Sequence, residues 1–201
     1  MAMKTQFLVV LVVAGLLLVS RAEARNFTLE GENAYSGGIG FQAGLSDWTP
    51  GGFKFFNDYS RELTDFVWLN FQLNGTLGNM DRKRCWYEMG IKHCDYHYHN
   101  WHGGAVAFAI GVKLVWDLKK LPIQVYGKIG GAVDILFLGD TYTGIAFGVR
   151  SGVGAHFFFL SNFGVGLELM STLGPSVIPD GPGAEFYAAL DLQVIGIEYR
   201  W

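Results

Sequence analysis

Past its first twenty residues this chain holds no uncharged apolar run near twenty residues long, which excludes a membrane-spanning helix there. Charge is scarce too: 16% of the residues are Asp, Glu, Lys or Arg, and the formal net charge of −3 favours no nucleic-acid partner. No cysteine follows the N-terminal apolar run, so a lipoprotein anchor is not indicated; Cys85 and Cys94 are the two in the chain. No His-x-Ser pair, internal repeat or second domain is present. What the sequence does have is 50% hydrophobic residues, 28 glycines and 15% aromatics, a composition of strands and turns. It reads as a membrane protein without membrane helices.

The N-terminus accounts for part of that apolar excess. Lys4 precedes the uncharged run from Phe7 to Val19, and Ala22-Glu23-Ala24 supplies the small-x-small pattern that signal peptidase reads. At about 1.5 Å per residue the run falls short of a roughly 30 Å hydrocarbon core, so a cleaved signal peptide over 1–24 is expected rather than an anchor. Residues 25–201 then form one domain, with 25–35 as a short polar tail.

Within that domain hydrophobicity alternates with a period of two. Val106, Phe108, Ile110, Val112, Leu114 and Trp116 oppose Ala107, Ala109, Gly111, Lys113 and Val115. The same code recurs around Ile129 and Val133, around Phe147 and Val149, and around Leu167 and Leu169. In a soluble sandwich the second face would carry solvated polar residues. Here it is mostly Gly and Ala with an occasional charge, a poor water-facing surface but a good lining for a narrow tube. The bulky face is therefore expected to meet lipid, with Trp116, Phe137, Phe159 and Trp201 as interface aromatics. Strands are expected at about 36–46, 51–59, 65–78, 104–117, 122–137, 143–159, 163–173 and 184–201: an all-β, antiparallel, transmembrane up-and-down barrel of eight strands. Short connections ("DLKKLP", "LSNF") alternate with longer ones, notably Gly78–Gly103 and Gly174–Gly183, so turns and loops fall on opposite rims; "GDTYT" is a short member of the loop rim.

At this point the chain resembles the small eight-stranded outer-membrane barrels of Gram-negative bacteria, the OmpA/OmpX-like architecture, across about 35–201. The closing "IGIEYRW" carries the resemblance furthest: Ile195, Ile197, Tyr199 and Trp201 look like the C-terminal signal recognised by the outer-membrane assembly machinery. Phe186, Ala188, Leu190 and Leu192 sit on the opposite phase, so a β-bulge is expected near Gln193 or Val194. The resemblance implies residence in the outer membrane of a Gram-negative bacterium. Loops would face outside, turns and the 25–35 tail the periplasm, and the partners would be outer-membrane lipids, lipopolysaccharide and the assembly machinery. It also implies a monomer.

Three groups of residues are candidates for function. Cys85 and Cys94 share the longest outer loop in an oxidising compartment, where a disulfide is expected. The stretch "HCDYHYHNWH" supplies His93, Asp95, His97, His99 and His102, donors that suit Zn²⁺, Cu²⁺ or Ni²⁺; their spacing matches no specific ligand set, so a plain aromatic loop is the first reading and no cofactor is expected. On the inward phase Lys113, Lys128 and Arg150 face Asp134, Glu168, Glu185 and Asp191, read as a salt-bridge plug or, alternatively, as a narrow ion or proton path. No enzyme activity is expected, because His156 and Ser151 stand on opposite faces by parity. The motifs at Asn26 and Asn74 match N-glycosylation but have no role in a bacterial outer membrane.

Overall fold

The computed structural model describes residues 31–80, 84–88, 91–95, 101–118, 121–139, 142–179 and 183–201. The expected signal peptide lies outside the described residues. Among the described residues ten strands follow in order: β1 (Asn33–Gly44), β2 (Gly51–Glu62), β3 (Val67–Met80), β4 (Arg84–Glu88), β5 (Ile91–Asp95), β6 (Trp101–Asp117), β7 (Ile123–Leu138), β8 (Tyr142–Leu160), β9 (Phe163–Ile178) and β10 (Gly183–Arg200). Eight of them close an antiparallel barrel in the circular order β1-β10-β9-β8-β7-β6-β3-β2, while β4 and β5 pair as a separate hairpin within the connection from β3 to β6. Closure is mutual: the Asn33 amide donates to the Trp201 carbonyl at 2.9 Å and the Trp201 amide donates back at 3.0 Å.

Each face of the wall follows from the alternation. Phe108, Ile110, Val149 and Val153 stand half-exposed or more on the outside, while Lys113 and Arg150, on the opposite parity, are buried inside. A surface of this kind is stable against acyl chains and not against water, so the barrel spans a membrane with its bulky face to lipid. Near the turn rim, Tyr35 pairs with both Tyr59 and Tyr199, and Trp201 stacks on Tyr199 at 5.8 Å, forming one arc of an aromatic girdle.

The expected bulge is present. Ile39 pairs with Ile195 and Gly40 with Gln193, so Val194 has no partner on β1, and Val194 and Ile195 both face outward. One extra residue restores outward phase for Ile197, Tyr199 and Trp201.

Strand bounds differ from the expectation by up to five residues, and two of the differences change the reading. β1 begins at Asn33, so the end of the 25–35 tail is already strand. The Gly174–Gly183 segment is not a long loop: β9 continues to Ile178, with Pro175 paired opposite Phe186. The connection that remains is as short as a turn.

Candidate functional site: a lumen of paired charges

The inward side chains fill the barrel in layers. At the loop end Leu136, Leu138 and Ile178 have no exposed surface and pack with Tyr187, Ala105, Ala146 and Ala189. Trp48 and Tyr142 lie against this cluster, edge to face at 5.7 Å; Trp48 holds a left-handed backbone (φ 66°) that a bulky residue rarely adopts.

Below this apolar cap sits a first group of charges. Asp191 Oδ2 accepts from Lys54 Nζ and from Arg150 Nη2, each at 2.7 Å. Lys54 also donates to Gln42 Oε1 at 2.6 Å, and Arg150 Nη1 to Thr172 at 3.0 Å. The Tyr187 hydroxyl reaches Asp134 at 3.3 Å. A second group lies nearer the turn rim, where Lys128 bridges Asp58 at 2.8 Å and Glu168 at 2.5 Å, and Tyr126 donates to Glu168 at 2.8 Å. A third surrounds Glu198, which takes Lys113 and Arg200 at 2.7 Å each. Arg200 stacks on Phe158 and Trp68, its guanidinium carbon 4.2 and 5.2 Å from their ring centres, and donates to Gln124. The Tyr126 ring lies beneath Lys113 and Lys128, 4.4 and 5.2 Å from their ammonium groups.

Small residues make this filling possible. Lys113 and Lys128 are direct neighbours across β6 and β7, and the next inward pair is Gly111 with Gly130. A Cβ on Gly166 would run into the His156 ring, and one on Gly154 into Tyr126. His156 is buried, stacked on Tyr126 at 5.0 Å and 3.4 Å from Glu198, with neither ring nitrogen in a hydrogen bond among the described residues. A void of about 10 Å³ among Asn70, Gln72, Lys128, Arg150 and Met170 has room for about one water.

The sequence-derived residues fall as follows. Lys113, Lys128, Asp134, Arg150, Glu168 and Asp191 all lie buried in the lumen. Glu185 keeps the inward phase but sits half-buried at the loop end of β10, outside the ion pairs found among the described residues. Sequence reasoning missed Lys54, Asp58, Glu198 and Arg200, which supply much of the network. The signal was there for Glu198: it alternates with Ile197 and Tyr199 and so faces inward. Ser151 faces lipid, hydroxyl to hydroxyl with Ser171 at 3.3 Å, and His156 faces the lumen, so no Ser-His pair forms between them. His93 and Asp95 belong to β5, His102 to β6, and His97 and His99 lie outside the described residues. In the β4–β5 hairpin Cys85 is directly opposite Cys94.

No known family's sequence pattern matches this chain. No curated protein matches it either. Solved structures do. A major outer membrane protein from Thermus thermophilus is similar at 15% identity and a TM-score of 0.57, over 86% of this chain and 100% of that one. Neisserial surface protein A is similar at 10% and 0.56, over 85% and 96%. Outer membrane protein OprG of Pseudomonas aeruginosa is similar at 10% and 0.55, over 85% and 96%. At these identities the likeness is one of fold, and it places this chain beside small eight-stranded outer-membrane β-barrels.

Proposed function

We propose that this protein is a structural or surface-interaction barrel of the Gram-negative outer membrane, exported by a cleaved signal over 1–24, with a lumen closed to ions. The observation that carries the reading is the pairing of charge inside. Lys54, Lys113, Lys128, Arg150 and Arg200 meet Asp58, Glu168, Asp191 and Glu198, and Asp134 takes the Tyr187 hydroxyl, beneath an outer mouth whose leucines have no exposed surface. An eight-stranded interior is just wide enough for side chains to fill, and buried charges are tolerated there when each has partners. The segment between β3 and β6 is then the part displayed to the outside, towards lipopolysaccharide and neighbouring cells. The register of β4 and β5 supports a Cys85–Cys94 disulfide, since directly opposed residues on antiparallel strands bring their Cβ atoms to about 4.5–5.5 Å, near the separation a disulfide needs.

Planar-bilayer recording tests the closed lumen. The wild-type protein is expected to give no unitary current. Steady conductance that changes with Arg150→Ala would establish the ion-path reading instead. Fractionation with protease shaving of intact cells tests location: the protein is expected in the outer-membrane fraction, cleaved between β3 and β6, and recovery as a soluble periplasmic protein overturns the reading.

A further inference from the structure

The outer wall is not uniformly convex. A groove of about 1030 Å³ crosses it from β1 to β8, walled by the exposed side chains of Phe71, Leu73, Phe108, Ile110, Val133 and Phe147. Its course is oblique. The pairing line Leu73, Phe108, Val133, Phe147 starts at the middle of β3, beside Asn57 at the middle of β2, and finishes near the loop end of β8. The lower end lies at the aromatic girdle, where Tyr35, Asn57 and Tyr59 line it. The upper end is apolar.

Asn57 is the anomaly. It holds the outward phase between Phe55 and Tyr59, so its carboxamide faces the membrane, where an unpaired polar group is costly. Its oxygen accepts from the Tyr35 hydroxyl at 2.8 Å, and its side-chain nitrogen has no partner among the described residues. The wall is also interrupted there. Pairing of β2 with β3 stops at Phe55–Gly75 and resumes at Asp58–Gln72, and the Asn57 backbone amide donates to the Asn74 side chain at 3.1 Å instead. A stretch of membrane-facing sheet has exchanged ladder bonds for an outward amide at the foot of an apolar groove.

We propose that this groove is a binding site for a glycerophospholipid of the leaflet at the turn rim, one acyl chain lying along it and an ester oxygen accepting from the Asn57 side-chain nitrogen. The polarity profile fits such a molecule: a hydrogen-bonding end at the level of the aromatic girdle and an apolar course rising from it. The convex wall of a second barrel would meet this surface along a line and leave the groove unfilled. The assignment is independent of whether the lumen conducts.

The test is native mass spectrometry of the full chain refolded with dioleoylphosphatidylglycerol and transferred to a mild detergent. Folding of each variant is checked by the electrophoretic shift of the unheated barrel. The wild type is expected to retain one lipid per chain. Asn57→Leu removes the donor and is expected to lower the retained fraction by about fivefold, the order of one lost hydrogen bond. Gly131→Leu places a side chain in the groove where a Cβ meets no protein atom within 4 Å, so it folds but loses the lipid. Val153→Leu, on the outer wall away from the groove, is expected to match the wild type. Wild-type retention in either Asn57→Leu or Gly131→Leu overturns the proposal, as does a dimer mass in place of the lipid adduct.

Discussion

The two ends of the lumen are packed by opposite chemistries. At the loop end Leu136, Leu138 and Ile178 fill the interior by contact alone, and any side chain of similar volume makes such contacts. At the turn end Glu198 holds Lys113 and Arg200 while Arg200 stacks on Trp68 and Phe158, so packing depends on the identity of each partner. Apolar packing degrades gradually when altered. Ionic packing fails when one member is lost, because the others remain buried without a counter-charge.

Placing the same residue at both ends separates the two cases. Glu198→Met removes the carboxylate from two cations and is expected to cost about 3–5 kcal/mol, read as a lower urea midpoint of tryptophan fluorescence for the barrel in detergent. A region belonging to neither end comes next. Cys85→Ser in the β4–β5 hairpin is expected to lose about 2–3 kcal/mol of local stability, the chain-entropy value for a loop of roughly ten residues, seen as faster trypsin cleavage between β3 and β6. An identical cleavage rate with and without reductant in the wild type would show that no disulfide forms. Leu136→Met conserves volume and is expected to cost less than about 1.5 kcal/mol in the same urea titration, so a loss equal to that of Glu198→Met would abolish the distinction between the ends. Salt should matter least. Raising NaCl from about 0.05 to about 0.5 M is expected to leave the midpoint nearly unchanged, since buried pairs are screened much less than exposed ones. Calorimetric titration with Zn²⁺ is expected to give the same heat for wild type and a His97→Ala/His99→Ala variant, and a difference would revive the metal reading of that loop.

Legibility in the sequence followed contrast between the two faces. β6 to β9 could be read because bulky apolar residues oppose glycine, alanine and lone charges, and the bulge at Val194 announced itself as a slip of phase between Leu192 and Ile195. β2 hid its contribution. Phe53 and Phe55 face lipid while Phe56 is buried in the lumen, so the run does not read as alternating and Lys54 and Asp58 went unassigned. Glu198 and Arg200 were overshadowed by the aromatic C-terminal pattern with which they interleave. The end of β9 was masked by Pro175 and its glycine neighbours, residues that elsewhere mark a turn. Who pairs with whom lay beyond one-dimensional reading: Lys54 and Asp191 are 137 positions apart and meet because β1 alone separates β2 from β10 in the wall.

That seam between β1 and β10 has a temporal consequence. Until β10 has been delivered, β1 presents a bare row of amides and carbonyls along one side, and so does whichever strand was added last. No partial assembly of this wall is free of sticky borders, and none encloses the charges that later neutralise one another. Joining of β1 to β10 is therefore the step at which the wall loses its last open margins and the interior charges first share one enclosure.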